Sequence, residues 1–351
     1  FFVRNRHYLK SENRLESLVS RESSFLFNNL LFLVACFAVL WGTLFPVLSE
    51  AVQGTKATVG APFFNRVMIP IGLLLLFLTG VGPLLAWRRT SLGSLRRNFG
   101  WPLLGGLAAG AVAYPLGFRD FYALVCVVLS VFVALTITSE FLRGALVIRA
   151  RAGVNLFSAV GQLTMRNTRR YGGYVIHFGM VLIFVGLSGA AFNQDKQMEM
   201  SPGSRMELGP YSLVCQTFTS RPEQNYTAER ATIEAIRSGK QTMMLYPERR
   251  FYPANEQAGT MVAIYSTLKE DLYVVYAGRS PENSQPVIHA YLNPLVKWIW
   301  LGGVIVVLGT GLALLPNRQA VLVVRAAAQT VSVGAAPQPV TAPLQSYEGH
   351  D

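Results

Sequence analysis

The chain has 351 residues, of which 51% are hydrophobic and 14% are charged, and its formal net charge is +12. A soluble domain carries about a quarter charged residues, so this composition favours a protein that has lipid as its solvent. The segment between positions 193 and 297 has 11 basic and 11 acidic residues and is therefore neutral. The excess of positive charge lies in the rest of the chain. This distribution argues against a nucleic-acid-binding protein, whose basic residues cluster on one soluble face.

Six apolar runs approach the roughly 20 residues that a helix needs to cross about 30 Å of hydrocarbon. In chain order they are Phe25–Leu48, Val67–Trp87, Phe99–Phe118, Phe121–Leu142, Tyr171–Phe192 and Trp298–Leu315. The third run is rich in glycine and contains Pro115. The sequence therefore predicts a polytopic α-helical membrane protein with about six transmembrane helices and one extracytoplasmic β-rich domain.

The basic residues concentrate in alternate connections between these runs, and the positive-inside rule then fixes an orientation. It places the N-terminus, the arginine-rich loops and the C-terminus in the cytoplasm, and the segment after the fifth run outside. We expect a cytoplasmic basic flank at 1–24, five membrane helices at 25–192, a periplasmic β-rich domain at 193–297, a final transmembrane helix at 298–316 and a partly disordered cytoplasmic tail at 317–351.

The outer segment shows the alternation and the turn signals of short strands. Predicted strands lie at Thr232–Ala235, Met243–Tyr246, Gly259–Ser266 and Leu272–Tyr276, which together indicate a small sandwich or barrel. The three cysteines are scattered and support neither a disulfide framework nor a zinc site.

His177 is the one histidine inside a predicted membrane helix, about 9 Å from its start at 1.5 Å per residue. An ionisable residue inside a bilayer indicates a functional site, and imidazole is a common axial ligand of haem iron. Gly173, four residues earlier on the same face, would let a flat porphyrin approach the helix backbone. Arg169 and Arg170 precede the helix, where their guanidinium groups suit haem propionates.

Structural alternatives remain open for each of these residues. His177 equally suits a hydrogen bond to a neighbouring helix, and Gly173 suits close helix packing. Arg169 and Arg170 also fit the role of topology anchors at the membrane surface. His289, near the start of the last run, is interpreted as an ordinary interfacial histidine.

The chain begins with Phe1-Phe2, with neither an initiator methionine nor a signal peptide. We interpret it as the C-terminal part of a longer protein or as one product of a split gene.

Several blocks of the chain, taken in order, resemble the CcmF family of membrane haem lyase subunits of cytochrome c maturation. These blocks are Ser20–Ser23 with Asn28–Asn29, Gly42–Pro46, Gly60–Asn65, Tyr171–Gly179, Leu245–Tyr252 and Asn293–Gly303. Each block is short, but their order and spacing extend the resemblance over most of residues 20–316.

The resemblance implies a role in attaching haem to apocytochrome c in the periplasm. It implies a haem b held in the membrane between two helix histidines, with His177 as the second axial ligand of the iron and quinol as the source of electrons. The implied partners are the N-terminal part of the same protein, a CcmE-type haem chaperone and a CcmH-type thiol component. The implied location is a bacterial inner membrane, with a mitochondrial inner membrane as the alternative.

The family's Trp-rich haem-handling motif, its two external histidines and its first membrane histidine are not found in this sequence. The chain by itself is therefore expected to supply one side of the haem b site and no catalytic residue. A second hypothesis is a cofactor-free membrane scaffold that assembles cytochrome c maturation proteins. A third, half of a transporter, is disfavoured because paired charges within the membrane and repeated broken helices are lacking.

Overall fold

The structure, a computed structural model, describes residues 17–239, 241–282 and 284–317. The predicted flank at 1–24 and tail at 317–351 lie mostly outside these residues. Within them, the chain forms two compact units, one of residues 17–140 and 175–308 and one of residues 141–174 and 309–317.

Seven α-helices are found in the described part of the chain. They are α1 (Arg21–Gln53), α2 (Ala61–Val81), α3 (Leu92–Ala113), α4 (Phe121–Ala152), α5 (Leu156–Arg166), α6 (Thr168–Ser188) and α7 (Val296–Leu314). Short 3-10 turns at Gly82–Leu84 and Gly189–Phe192 extend α2 and α6. The helices alternate with short connections, as expected for a polytopic membrane domain.

Five helical segments in the described residues are long and apolar enough to cross a membrane, namely α1, α2 with its 3-10 turn, α4, α6 with its 3-10 turn, and α7. Helix α3 overlaps the third predicted run but is not one of the five, because Arg96, Arg97 and its glycines lower its mean hydropathy. The prediction of a membrane protein with a β-rich domain is confirmed. The sixth span stays a prediction.

Two boundaries differ from the predicted runs for local reasons. Helix α1 begins at Arg21 because the Ser20 hydroxyl caps it, accepting a hydrogen bond of 3.1 Å from the Ser23 amide. Helix α3 ends at Ala113, where Tyr114 and Pro115 lead into a turn completed by Gly117 at a φ of 108°. The amphipathic helix α5 was not predicted, and it packs on α4 through Ala145, Ile148 and Ala159.

Ten strands are found among the described residues between α6 and α7. They are β1 (Gln194–Glu199), β2 (Arg205–Leu208), β3 (Tyr211–Pro222), β4 (Thr227–Arg237), β5 (Gln241–Leu245), β6 (Glu248–Tyr252), β7 (Gln257–Met261), β8 (Ala263–Ser266), β9 (Glu270–Arg279) and β10 (Pro286–Pro294). One sheet has the order β1-β10-β9-β8, and the other has the order β2-β3-β4-β6-β7 with β5 also paired to β4. All neighbouring strands are antiparallel.

The two sheets enclose one core, so the domain is a two-layer β sandwich. Alternate residues of β10, Ile288, Ala290 and Leu292, are buried against residues of the other sheet such as Leu213 and Ile233. The predicted run Gly259–Ser266 divides into β7 and β8, which belong to different sheets. Periodicity alone could not show that the chain crosses between layers within this run.

Two buried tyrosines connect the sheets through carboxylates. The Tyr211 hydroxyl donates to Glu270 at 3.1 Å, and the Tyr276 hydroxyl donates to Glu229 at 2.8 Å. Burial and the adjacent carboxylate together raise the pKa of each phenol to about 12. Both phenols therefore remain protonated donors at physiological pH.

Glu248 of β6 is buried, and both of its carboxylate oxygens accept hydrogen bonds from arginine side chains. Arg230 donates to it at 2.7 and 2.9 Å, and Arg250 donates at 2.6 Å. Burial raises the pKa of Glu248, but the hydrogen bonds from Arg250 and Arg230 outweigh that effect and hold the pKa below its ordinary value. The ionised carboxylate thus joins β4 and β6.

Helices α6 and α7 pack with their backbones in contact, within the first unit. A β-carbon on Gly179 would lie 2.8 Å from the carbonyl oxygen of Gly302, and one on Gly302 would lie 2.6 Å from that of Gly179. Gly186 faces Ile299 in the same way. Small residues permit this close approach in membranes, where van der Waals packing holds helices together.

Substituting Gln for Glu248 is expected to destabilise the sandwich by about 1.5–3 kcal/mol at neutral pH, the range for hydrogen bonds to a charged group. Because the pKa is lower in the folded state, this stabilisation is present above about pH 4.3, the ordinary value for Glu, and is lost as the pH falls through the folded value. Amide hydrogen exchange of β4, corrected for intrinsic rates and followed from neutral to acid pH, measures both effects.

Glu207→Gln is the control for Glu248→Gln, since the Arg205–Glu207 pair is exposed on both sides and should contribute little. If Glu248→Gln keeps the acid sensitivity of the unaltered protein, the assignment to Glu248 is wrong.

Gly302→Ala should destabilise the α6–α7 pair by about 1–3 kcal/mol, because the new methyl group would collide with the backbone of α6. Gly303→Ala is the matched control, since a β-carbon there meets no atom within 4 Å of the described chain. It should be neutral or stabilising by up to about 1 kcal/mol, the helix preference of Ala over Gly. Thermal unfolding in detergent compares the two, and equal shifts would contradict the packing account.

Candidate functional site

His177 lies in the middle of α6. The helix begins at Thr168, so His177 is nine residues from its start, or about 13 Å along the axis at 1.5 Å per residue. The 9 Å given by the sequence was counted from Tyr171, and the helix begins three residues earlier, at Thr168. The imidazole is thus carried near the centre of a membrane-capable helix.

The glycine contacts of α6 determine which face carries His177. At 100° per residue, Gly179 and Gly186 lie on the side of α6 opposite His177, and that side contacts α7. Phe184, seven residues after His177, lies on the histidine's own face. A β-carbon on Gly72 of α2 would be 3.4 Å from the Phe184 ring. The face of α6 that carries His177 therefore points away from α7. Further along the same face, Phe184 lies beside α2.

The imidazole of His177 has a buried nitrogen that the described protein does not satisfy. Its side chain is half-buried, while its Nδ1 atom is buried and has no hydrogen-bond partner among the described residues. A buried polar atom without a partner costs about 1–3 kcal/mol. An arrangement of this kind is typical of a functional side chain that awaits a ligand or a partner.

Gly173, one turn earlier on α6, borders open space. A β-carbon built there meets no described atom within 4 Å. The neighbouring Gly172 differs, since a β-carbon on it would lie 2.7 Å from the backbone of Ala313. Of these two glycines, Gly172 serves helix packing and Gly173 leaves the helix backbone uncovered.

Arg169 and Arg170, predicted at the start of this helix, are both exposed in its first turn. The guanidinium of Arg170 lies over the rings of Tyr171 and Tyr174, at 5.9 and 5.7 Å from their centroids. These contacts, with a hydrogen bond of 3.5 Å from Arg170 to the Tyr174 hydroxyl, orient the side chain. The propionate role of either arginine stays a prediction.

A second polar cluster surrounds His289 on the β sandwich, and the sequence did not predict it. The Nε2 atom of His289 lies 3.0 Å from Asp195, and the Tyr291 hydroxyl lies 2.8 Å from Nδ1. The His289 and Tyr291 rings are 4.1 Å apart. Both imidazole nitrogens are engaged, so His289 is a satisfied surface histidine. Alternation along β10 could have placed His289 beside Tyr291, but the pairing with β1 that brings Asp195 there is tertiary.

Comparison with known proteins supports the resemblance of the motifs. Residues 191–294 match the family described as the CcmF C-terminal β-sandwich. The chain is 33% identical over 315 residues to the cytochrome c-type biogenesis protein CcmF of Pseudomonas aeruginosa, covering 88% of this chain and 46% of that protein. It is 30% identical over 311 residues to CcmF of Escherichia coli, covering 86% and 45%.

A solved structure, that of "Cytochrome c Heme Lyase CcmF", is similar in fold as well. The TM-score is 0.69 at 26% identity, and the match covers 86% of this chain and 46% of that one. The chain thus spans about half the length of the relatives it matches. The sandwich, the helices and these similarities agree: residues 191–294 form a domain of the CcmF C-terminal β-sandwich family, and the chain as a whole matches the C-terminal portion of CcmF proteins.

Proposed function

We propose that this chain forms part of a haem lyase in cytochrome c maturation, and that His177 is one axial ligand of a haem b within the membrane. The observation that carries the proposal is the buried Nδ1 atom of His177, which has no partner in the described chain and lies at mid-helix. The relatives are named for cytochrome c biogenesis and haem lyase activity, which supports the same reading.

The chemistry of the imidazole fits this role. A histidine that binds haem iron uses one ring nitrogen, and the other usually donates a hydrogen bond that orients the ring. A neutral imidazole inside the membrane also avoids the cost of a buried charge. Gly173 provides uncovered backbone one turn away, and Arg169 and Arg170 are placed in the first turn of α6, where propionates would be expected.

A bound haem b would supply a one-electron relay, for which quinol is the proposed source of electrons. The second axial histidine would come from another part of the same protein. The proposed substrates are a second haem, carried by a CcmE-type chaperone, and apocytochrome c, with a CcmH-type thiol component keeping its cysteines reduced. Attachment through thioether bonds needs ferrous iron and reduced thiols. An electron relay would serve to keep the iron of the incoming haem ferrous.

The proposed setting is a bacterial inner membrane, with the sandwich on the periplasmic side and the C-terminus in the cytoplasm. The arginine-rich connections between α2 and α3 and between α4 and α6 support this orientation. The scaffold hypothesis remains the rival, and it requires no haem at His177.

His177→Ala in the complete protein should abolish or strongly shift a b-type signal in reduced-minus-oxidised absorption spectra, because the iron loses an axial nitrogen. His289→Ala is the control, since that histidine lies on the sandwich and should leave the signal unchanged. Size-exclusion chromatography verifies that both variants remain folded. A haem content and spectrum unaffected by His177→Ala would favour the scaffold.

Gly173→Leu should displace or perturb the bound haem without disturbing the helices, because its β-carbon would enter space with no described protein atom within 4 Å. The expected result is a shifted or weakened b-type spectrum with unchanged thermal unfolding. Gly161→Leu, on α5 and also bordered by open space, is the matched control. Identical spectra for both variants would remove Gly173 from the site.

A further inference from the structure

The turn between β8 and β9, residues 267–269, is attached to the first turn of α7. The indole nitrogen of Trp298 donates to the carbonyl of Leu268 at 2.9 Å. The amide of Leu295 donates to the carbonyl of Lys269, also at 2.9 Å. Trp298 is the third residue of α7, only about 3 Å along the axis of a helix long and apolar enough to span the membrane. The turn is therefore held beside the first turn of a helix that is able to span a membrane.

The conformation of this turn is fixed by its own hydrogen bonds. The Thr267 hydroxyl accepts from the Glu270 amide at 3.1 Å and donates to the Glu270 carbonyl at 2.8 Å. The Thr267 amide also donates to that carbonyl, at 3.0 Å. With its backbone fixed at both sides, the Leu268 side chain is held outward and is 63% exposed in the protein.

The surroundings of Leu268 match the chemistry of a membrane surface. Indole groups such as that of Trp298 concentrate at the interface between hydrocarbon and water. Lys269 and Lys297, beside the turn and at the start of α7, are exposed and complement the phosphates of lipid headgroups. An apolar side chain fixed among such residues has the lipid surface as its natural partner.

We propose that Leu268 inserts into the interfacial layer of the bilayer, which makes the β8–β9 turn a third attachment of the sandwich to the membrane beside α6 and α7. The proposal is independent of haem binding at His177. Helix α6 leads into β1 at one edge of the four-stranded sheet, and β10 leads into α7. The Leu268 turn joins β9 to β8 at the opposite edge, two to three strand spacings from β1, or roughly 10–15 Å at 4.8 Å per strand. Three attachments across the sheet would resist tilting of the sandwich on the membrane.

Hydroxyl-radical footprinting of the unaltered complete protein tests this, in nanodiscs of phosphatidylethanolamine and phosphatidylglycerol. Ile264 is the internal control, because it is an aliphatic residue of β8 that is 53% exposed and reacts with hydroxyl radicals much as leucine does. If the protein alone determined how exposed the two side chains are, Leu268 would be oxidised at least as fast as Ile264. Insertion predicts that Leu268 is oxidised several-fold more slowly, and equal or faster oxidation of Leu268 would overturn the proposal.

A second measurement identifies what covers Leu268. Phospholipid carrying a diazirine in its acyl chain near the headgroup is added to the same nanodiscs and photolysed. The peptide containing Leu268 should be cross-linked to lipid, while the Ile264 position should not. Protection of Leu268 without a lipid adduct would mean that protein covers the turn, and the proposal would again be wrong.

Discussion

The backbone contact between α6 and α7 is the constraint on which the described architecture depends. Gly179 and Gly302 each lack the side chain that would hold the helices apart, so the carbonyl of one meets the α-carbon of the other. The two helices continue directly into adjacent strands, with Gln194 of β1 paired to Leu292 of β10. A shift at the glycine contact would therefore also move the register of the four-stranded sheet, whose alternate residues form the sandwich core.

The same contact determines the position of the candidate haem ligand. Because α7 occupies the glycine face of α6, the opposite face remains for His177. Within the described chain this face leaves the imidazole Nδ1 buried and without a partner. In our proposal the glycines position the ligand by committing one side of the helix to packing.

The sandwich combines an apolar core with a few well-satisfied charges. Tyr211 and Tyr276 connect its layers through carboxylates, and Glu248 is paired with two arginines. The buried Glu248 and the partly buried Glu229 and Glu270 are tolerated here because each accepts hydrogen bonds from phenol or guanidinium groups. If the β8–β9 turn also contacts lipid, the sandwich is attached to the membrane at three points. Because the sandwich is rigid, the far ends of its strands would then keep a fixed orientation relative to the membrane.

The sequence by itself determined the membrane class and the β-rich domain, because these depend on local hydropathy and alternation. The rarity of ionisable residues in apolar helices also predicted a functional role for His177, which stays a prediction. The family also followed from short motifs along the chain. Only the tertiary structure decided which glycines pack and which face open space, as between Gly172 and Gly173. The same holds for the partners of His289 and the division of Gly259–Ser266 between two sheets. Those features depend on contacts between residues distant in sequence, which periodicity does not encode.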